Sequence, residues 1–292
     1  MNDAGATTAG EPLAIICGGG SFPLAVADAA ARSGRRVVLF PLKGWADAAA
    51  IKRYPHHWMG LAQFGRFCRF ARQEGCRDVV IIGGVIRPTP LQLRPDLGTL
   101  RLLPRIVRLF RGGDDHLLSG IGRIFEEHGF RLLGAHEAAP AILIREGTLG
   151  QHQPTPRDVA DAERGLALIA AIGPFDVGQA VVVGGNRVLA VEAAEGTDEM
   201  LAHLAALRRA GRIRHPAKTG VLVKAPKPEQ DRRVDLPSIG TGTVAGAAAA
   251  GLAGIAVAAD NVITADIAEL VRAADVAGLF VIGVGPAGER TG

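Results

Sequence analysis

Short apolar runs alternate with helical stretches between Leu13 and Leu133, and this alternation constrains the fold more than any other feature of the chain. Strands that are apolar on both faces and alternate with helices are typical of a parallel sheet covered by helices on both sides. The sequence therefore predicts an α/β fold here. The predicted strands are Leu13–Cys17, 36–40, Asp78–Ile82 and 130–133. The predicted helices cover 24–33, 100–111 and 114–128, and the spacing of Phe64, Phe67 and Phe70 predicts one more.

The pattern changes after Glu137. Two apolar runs, 180–183 and 187–191, flank Gly184-Gly185-Asn186, a sequence typical of a β-hairpin turn. A helix over 157–171, a strand over 219–224, a helix over 243–251 and a closing helix and strand over 266–283 complete this half. We predict an α+β domain here. The resulting division is a tail over 1–11, an N-terminal domain over 12–137, a linker over 138–153 and a C-terminal domain over 154–292.

Composition restricts the class of partner. The formal net charge is +4, but only 4% of the residues are aromatic and no Lys/Arg run resembles a nucleic-acid arm, so we expect an acidic small molecule or a membrane surface and no nucleic acid. Residues 1–11 do not resemble a signal peptide, and no apolar run reaches the roughly 18 residues of a spanning helix. The three cysteines are scattered without a CxxC motif, which fits a reducing compartment. We expect a cytoplasmic protein.

A glycine-rich loop, Cys17-Gly-Gly-Gly-Ser-Phe-Pro23, joins the first strand to the first helix. Backbone N–H groups in such a loop bind phosphate, although a tight turn without a ligand has the same sequence. Pro23 replaces the third glycine of a dinucleotide fingerprint, and the second strand ends without the acidic residue that would hold a ribose, which disfavours a nicotinamide-dependent oxidoreductase. The candidate substrate contacts in this loop are Gly19, Gly20, Ser21, Phe22 and Pro23.

Three further motifs fall in loops of the N-terminal half. Gly83-Gly-Val-Ile-Arg-Pro88 follows the third strand at the edge where α/β folds bind ligands, so Gly84 and Arg87 are candidate phosphate contacts, with a surface arginine as the alternative. Asp114 and Asp115 open a helix, where one caps the helix and the other could hold Mg²⁺ or a sugar hydroxyl. His136-Glu137 lies where the two halves meet and is a weaker candidate.

The densest polar cluster is the segment from Lys224 to Gly240, whose prolines restrict its backbone. Pyrophosphate hydrolysis requires cations at the phosphate oxygens and a carboxylate that holds a metal ion or orients water. The segment supplies both, in Lys224, Lys227, Arg233, Asp231 and Asp235. Glu195-Gly-Thr-Asp198 adds Thr197 and Asp198, for which helix capping is an equal interpretation.

One predicted helix is basic. Helical spacing in 100–111 brings Arg101, Arg105 and Arg108 to one face. A solvated basic face is the simpler interpretation, and contact with an anionic leaflet is the alternative.

The ordered set of motifs GGGSFP, GGVIRP, GGDD, GAHE, EGTDEM and KAPKPEQDRRVDLPSIG resembles the LpxI-type UDP-2,3-diacylglucosamine pyrophosphatases of lipid A synthesis. The similarity spans nearly all of Leu13 to Val284. It implies a Rossmann-like N-terminal domain, a C-terminal domain of unusual fold, a substrate cleft between them, a dimer, and Mg²⁺-dependent release of UMP and 2,3-diacylglucosamine 1-phosphate.

The resemblance also implies residue roles. The aspartate of DLPxIG, here Asp235, corresponds to the essential acidic group of the family, and we expect it to bind Mg²⁺ or position the water. The chemistry of the same segment makes Asp231 a candidate second metal ligand. From the chemistry of their side chains, Lys227, Gln230 and Arg233 are expected to face the phosphates. A non-catalytic nucleotide-sugar or lipid-binding protein that uses the same cleft is the alternative function. Peripheral contact with the inner membrane would give access to the lipid substrate.

Overall fold

The computed structural model describes residues 10–85, 95–109, 114–214, 216–228 and 230–285. The chain forms two compact units. The first comprises Met1–Ala141 together with Asp231–Asp235, and the second comprises Ile142–Gln230 and Leu236–Gly292. The short segment Asp231–Asp235 therefore belongs with the first unit, although its neighbours in sequence belong to the second.

The first unit contains a four-stranded parallel sheet of order β2-β1-β3-β4. Its strands are β1 (Leu13–Cys17), β2 (Val37–Pro41), β3 (Asp78–Ile82) and β4 (Arg131–Leu132). Its helices are α1 (Phe22–Arg32), α2 (Ala48–Ile51), α3 (Phe64–Gln73), α4 (Leu97–Leu109), α5 (Asp114–Glu127) and α6 (Ala135–Ala138). The α/β fold class and the parallel sheet predicted from the apolar runs are confirmed.

Phenylalanine side chains dominate the core of the first unit. Phe40 and Phe67 are fully buried and their rings meet edge to face, with centroids 4.9 Å apart. Phe125 of α5 and Phe130 pack against the same cluster. The helical spacing of Phe64, Phe67 and Phe70 thus forms the face of α3 that covers the sheet.

The second unit contains a six-stranded mixed sheet of order β5-β10-β9-β8-β6-β7. Its strands are β5 (Gly147–Leu149), β6 (Ala180–Gly184), β7 (Arg187–Val191), β8 (Val221–Lys224), β9 (Gly254–Ala258) and β10 (Phe280–Val284). Its helices are α7 (Pro156–Ile172), α8 (Thr197–Arg209), α9 (Thr241–Ala249) and α10 (Ile267–Ala277). β6 and β7 form the predicted antiparallel hairpin, whereas β8, β9 and β10 run parallel.

Residues 138–153, interpreted from the sequence as a linker, contain regular structure. β5 lies within them and pairs antiparallel with β10. Pairing with β10 satisfies backbone groups that a three-residue strand could not satisfy by itself. In the parts of the chain that the structure describes, no helix is both long enough and apolar enough to cross a membrane.

Candidate active site

The two glycine-rich loops lie side by side at the carboxyl edge of the first sheet. The Gly19 N–H donates to the Gly84 carbonyl over 2.8 Å, and the Gly84 N–H donates back to Gly19 over 3.0 Å. A Cβ added to Gly18 would lie 2.5 Å from the Gly83 carbonyl oxygen, so only glycine permits this approach. The expectation that both loops meet at one sheet edge agrees with this geometry.

This pairing also limits which N–H groups can reach a ligand. The N–H groups of Gly19 and Gly84 are used between the loops, so neither can donate directly to a phosphate in this arrangement. Gly20 and Ser21 are exposed, and the Ser21 side chain does not cap α1. Pro23 is buried at the start of α1, where its fixed φ suits the first helical turn. Phe22 is half-buried beside it.

The loop after β4 brings His136 and Glu137 to the first unit's Asp231–Asp235 segment. A Cβ placed on Gly134 would lie 3.2 Å from the Arg232 carbonyl oxygen, which shows how closely the two segments approach. Glu137 accepts a 2.6 Å hydrogen bond from the Gly134 N–H and so closes the loop. This carboxylate therefore has a structural partner.

His136 is half-buried, and its Nδ1 atom is buried without a hydrogen-bond partner among the described residues. Burial, and then the positive charge of Arg232, lower the pKa of His136, while Glu137 acts in the opposite direction. The imidazole is therefore held in its neutral form.

Asp231 and Arg233 form a bidentate pair within the same segment. The Nε of Arg233 donates to Oδ1 of Asp231 over 3.0 Å, and a terminal nitrogen donates to Oδ2 over 2.8 Å. These bonds lower the pKa of Asp231 and raise that of Arg233. The other terminal nitrogen of Arg233 donates to Glu126 of α5 over 2.6 Å. Both oxygens of Asp231 are thus engaged by one guanidinium, which weakens its candidacy as a metal ligand.

Asp235 ends a single turn that begins at Asp231. The N–H groups of Val234 and Asp235 donate to the Asp231 carbonyl over 3.1 and 3.2 Å. Asp235 is half-buried. The turn therefore carries the Asp235 carboxylate and, two residues before it, the Arg233 guanidinium that Asp231 and Glu126 hold in place.

The second unit contains a buried network around Lys224 at the end of β8. Its Nζ donates to the Thr197 hydroxyl over 2.9 Å and to the Ser238 carbonyl over 3.1 Å, and only 8% of the residue is exposed. The Thr197 hydroxyl donates to the buried Glu192 over 2.7 Å, and Glu192 also accepts from the Gln179 N–H over 2.9 Å. This geometry favours a positioning role for Lys224 and Thr197 over direct contact with phosphate.

Lys227, Gln230 and Asp198 are the remaining predicted residues of the second unit. Lys227 forms an ion pair with Asp176, and its N–H donates to the buried Gln230 side chain over 3.0 Å. Asp198 is exposed in the first turn of α8, where the positive end of the helix dipole stabilises a carboxylate. Arg87 and the side chains of Asp114 and Asp115 lie outside the described residues.

Sequence reasoning missed two carboxylates. Glu192 follows β7 directly, and a polar residue at the end of an apolar strand was the available signal. Glu126 gives no such signal, because its partner Arg233 is 107 positions away along the chain.

The donor set can be compared with what Mg²⁺ requires. Among the described residues no group of three His, Cys, Asp or Glu side chains has the arrangement of a metal site. Mg²⁺ in phosphate-handling enzymes usually takes one or two carboxylates and completes its shell with substrate phosphates and water. One carboxylate at Asp235 fits that mode of binding.

Paired glycine loops at the carboxyl edge of a parallel sheet are typical of α/β proteins that bind ligands at that edge. Comparison with known proteins narrows the class. The LpxI N-terminal domain model matches residues 12–142 and the LpxI C-terminal domain model matches residues 145–282. The chain belongs to the LpxI family.

A named relative agrees with this assignment. Over 274 residues the chain is 42% identical to the UDP-2,3-diacylglucosamine pyrophosphatase LpxI of Caulobacter vibrioides, and the alignment covers 94% of this chain and 98% of that protein. The family resemblance drawn from the ordered motifs is confirmed.

Proposed function

We propose that this chain is a hydrolase of lipid A synthesis that cleaves the pyrophosphate of UDP-2,3-diacylglucosamine into UMP and 2,3-diacylglucosamine 1-phosphate. The 42% identity to a UDP-2,3-diacylglucosamine pyrophosphatase, over 94% of this chain, supports this choice of substrate. The observation that carries the chemistry is the turn from Asp231 to Asp235, which bears the Asp235 carboxylate and a guanidinium, Arg233, that Asp231 holds in place in the first unit.

Arg233 is proposed to bind the pyrophosphate. A guanidinium has five N–H donors, and the bonds to Asp231 and Glu126 use three of them. The other two donors have no partner among the described residues and are proposed to reach phosphate oxygens, and the two carboxylates fix the plane in which they lie. This preorganisation lowers the cost of ordering the side chain when substrate binds.

Asp235 is proposed as the essential carboxylate. It would hold Mg²⁺ or orient the attacking water, since Asp231 is already neutralised by Arg233. When bound, Mg²⁺ supplies Lewis-acid polarisation of the phosphoryl oxygens. Gly20, Ser21 and Phe22 would contact the substrate at the open N-terminus of α1.

The reaction needs no co-reactant other than water. The water oxygen bonds to one phosphorus, the bridging P–O bond on that phosphorus breaks, and the water gives up a proton. The bridging oxygen leaves with the other phosphorus, so UMP and the sugar phosphate are formed together. The family resemblance further leads us to propose a homodimer that works in the cytoplasm.

Product analysis in isotopically labelled water tests this function. Purified protein is incubated with UDP-2,3-diacylglucosamine and Mg²⁺ in H₂¹⁸O, and the masses of the products are determined by mass spectrometry. We expect equal amounts of UMP and sugar phosphate, with one label in one of the two, which identifies the phosphorus attacked. Tight binding of intact substrate without either product would instead identify a nucleotide-sugar or lipid carrier.

A further inference from the structure

The outer face of α4 exposes leucines to solvent. Leu97, Leu100 and Leu103 are 77%, 45% and 41% exposed, which places three of the exposed large apolar side chains of the described residues within two turns of one helix. At 100° per residue, Leu97 and Leu100 share a face with Arg101, Pro104 and Arg108. All five are exposed. The face is therefore both apolar and basic.

Hydrogen bonds at the start of α4 fix which face points outward. The Asp96 carboxylate accepts from the Arg66 N–H at the start of α3 over 2.7 Å and from the Thr99 N–H in α4 over 2.8 Å. The Thr99 hydroxyl accepts from the Phe64 N–H over 2.9 Å, and Thr99 is only 3% exposed. Thr99 lies on the opposite side of the helix from Leu97, so Leu97 and Leu100 are held outward by the fold, and Leu103 lies at the flank of this face.

The charge of the helix has one sign. Residues 97–109 include Arg101, Arg105 and Arg108 and no acidic residue. Arg105 pairs with Glu127 of α5, with one of its two bonds at 2.8 Å, and this pair ties α4 to the rest of the unit. Arg101 and Arg108 stand on the leucine face instead. Cations beside exposed leucines are the composition of a helix that lies in the interface of an anionic bilayer.

We infer that α4 is a membrane-docking helix, whose Leu97 and Leu100 enter the headgroup boundary, with Leu103 at the flank of the same face, while Arg101 and Arg108 contact lipid phosphates. The inference rests on the proposed function, because a substrate with two acyl chains partitions into bilayers and must be taken from one. An anionic surface complements the basic helix in a way that a second copy of the same basic face does not.

Vesicle sedimentation of the full chain tests the inference. Binding is measured to vesicles of phosphatidylglycerol and phosphatidylcholine and to vesicles of phosphatidylcholine alone. The apolar variant is Leu97→Gln/Leu100→Gln/Leu103→Gln, and the charge variant is Arg101→Gln/Arg108→Gln. The matched control is Phe175→Gln/Val276→Gln, two side chains of the second unit that are 78% and 91% exposed.

We expect wild type and the matched control to bind anionic vesicles equally and the apolar variant to bind at least tenfold more weakly. The charge variant should lose the preference for anionic over neutral vesicles. Leu97→Gln alone, at the most exposed of the three positions, should weaken binding in the same direction and serves if the triple variant does not fold. Equal vesicle binding by wild type and the leucine variants would overturn the inference.

Two further readouts separate the competing explanations. Turnover of substrate dispersed in detergent micelles should be the same in wild type and in every variant. If wild type shows no turnover, the proposed function is refuted, and vesicle binding alone then tests the membrane-docking role of α4. Sedimentation without lipid reports self-association. A leucine variant that falls from dimer to monomer with unaltered vesicle binding would assign this face to a second copy and overturn the inference.

Discussion

At the scale of single residues, the Lys224 amine connects two of the sequence motifs and the two ends of the longer one. It contacts Thr197 of EGTDEM and the Ser238 carbonyl of DLPSIG while it belongs itself to the KAPKP run. Lys224 is only 8% exposed, and an ammonium group on so buried a residue is stabilised by its hydrogen bonds. Lys224 begins the segment that contains Asp235, and Ser238 lies near its end. The bond between them therefore holds both ends of this segment in the second unit.

Replacing this lysine should disturb both stability and turnover. Lys224→Met leaves Thr197 and the Ser238 carbonyl without their donor, so we expect a loss of about 1–3 kcal/mol in the free energy of unfolding. UMP release should fall as well, mainly in kcat. The control is Lys52→Met, a change at an exposed lysine. Urea denaturation and steady-state kinetics measure the two effects, and a Lys224→Met variant that matches this control in both would contradict a positioning role.

Because His136 is held neutral, the free energy of unfolding should depend on pH. Its folded pKa lies below its unfolded pKa, so the unfolded chain binds more protons and stability falls as pH drops below about 6.5. His136→Gln removes this proton uptake, and the free energy of unfolding should change less between pH 7.5 and pH 5.5 than in wild type. His203→Gln, at an exposed histidine of α8, is the control. Parallel pH profiles for wild type and His136→Gln would refute a buried neutral imidazole.

At the scale of secondary-structure elements, Asp96 caps two helices at once. It accepts from N–H groups at the start of both α3 and α4. Burial opposes its ionisation, but the hydrogen bonds from Thr99, Arg66 and Gly65 outweigh burial and lower its pKa. Its contribution to stability is therefore present above the unfolded pKa and is lost as pH falls through the folded pKa.

Removing this cap should cost more than removing an ordinary one. Each N-cap is worth about 1 kcal/mol, so Asp96→Ala should lower the free energy of unfolding by about 2 kcal/mol. Asp266→Ala removes a single cap, the 2.8 Å bond to the Glu269 N–H of α10, and should cost about half as much. Chemical denaturation at neutral pH compares the two variants. Equal losses would mean that Asp96 does not cap both helices.

The elements that the sequence predicted well are those with strong local patterns. β1 and β3 begin and end at the predicted residues, and the β6–β7 hairpin turns at Gly185-Asn186 as expected. β9 was not predicted, because Gly254-Ile-Ala-Val-Ala258 continues an Ala/Gly-rich helical stretch without a clear break. β5 has three residues and depends on its partner β10 rather than on its own pattern.

The candidate site was predicted in its motifs and not in its bonds. The sequence indicated the glycine loops and the carboxylates of the segment from Lys224 to Gly240. It did not indicate that Asp231 is neutralised by Arg233, since both residues fit a phosphate or metal site when read one at a time. Long-range partners such as Glu126 and Glu192 depend on tertiary structure, which local pattern does not encode.

At the scale of the whole molecule, the chain builds two units, each with its own sheet and core. Contiguous sequence assigned all of the segment after Lys224 to the C-terminal half, but Asp231–Asp235 belongs to the first unit. Asp235, the carboxylate expected to be essential, therefore belongs to the same unit as the glycine loops. The residues that precede and follow Asp231–Asp235 in sequence belong to the second unit.

The most direct test of this account is UMP release by Asp235→Asn beside wild type, with UDP-2,3-diacylglucosamine and Mg²⁺, in the presence and absence of EDTA. The control is Asp47→Asn, since asparagine can also cap α2 and this aspartate is exposed. We expect wild type and the control to release UMP only without EDTA, and Asp235→Asn to be slower by about a hundredfold or more while it remains folded. Near wild-type turnover by Asp235→Asn, or turnover that survives EDTA, would contradict the account.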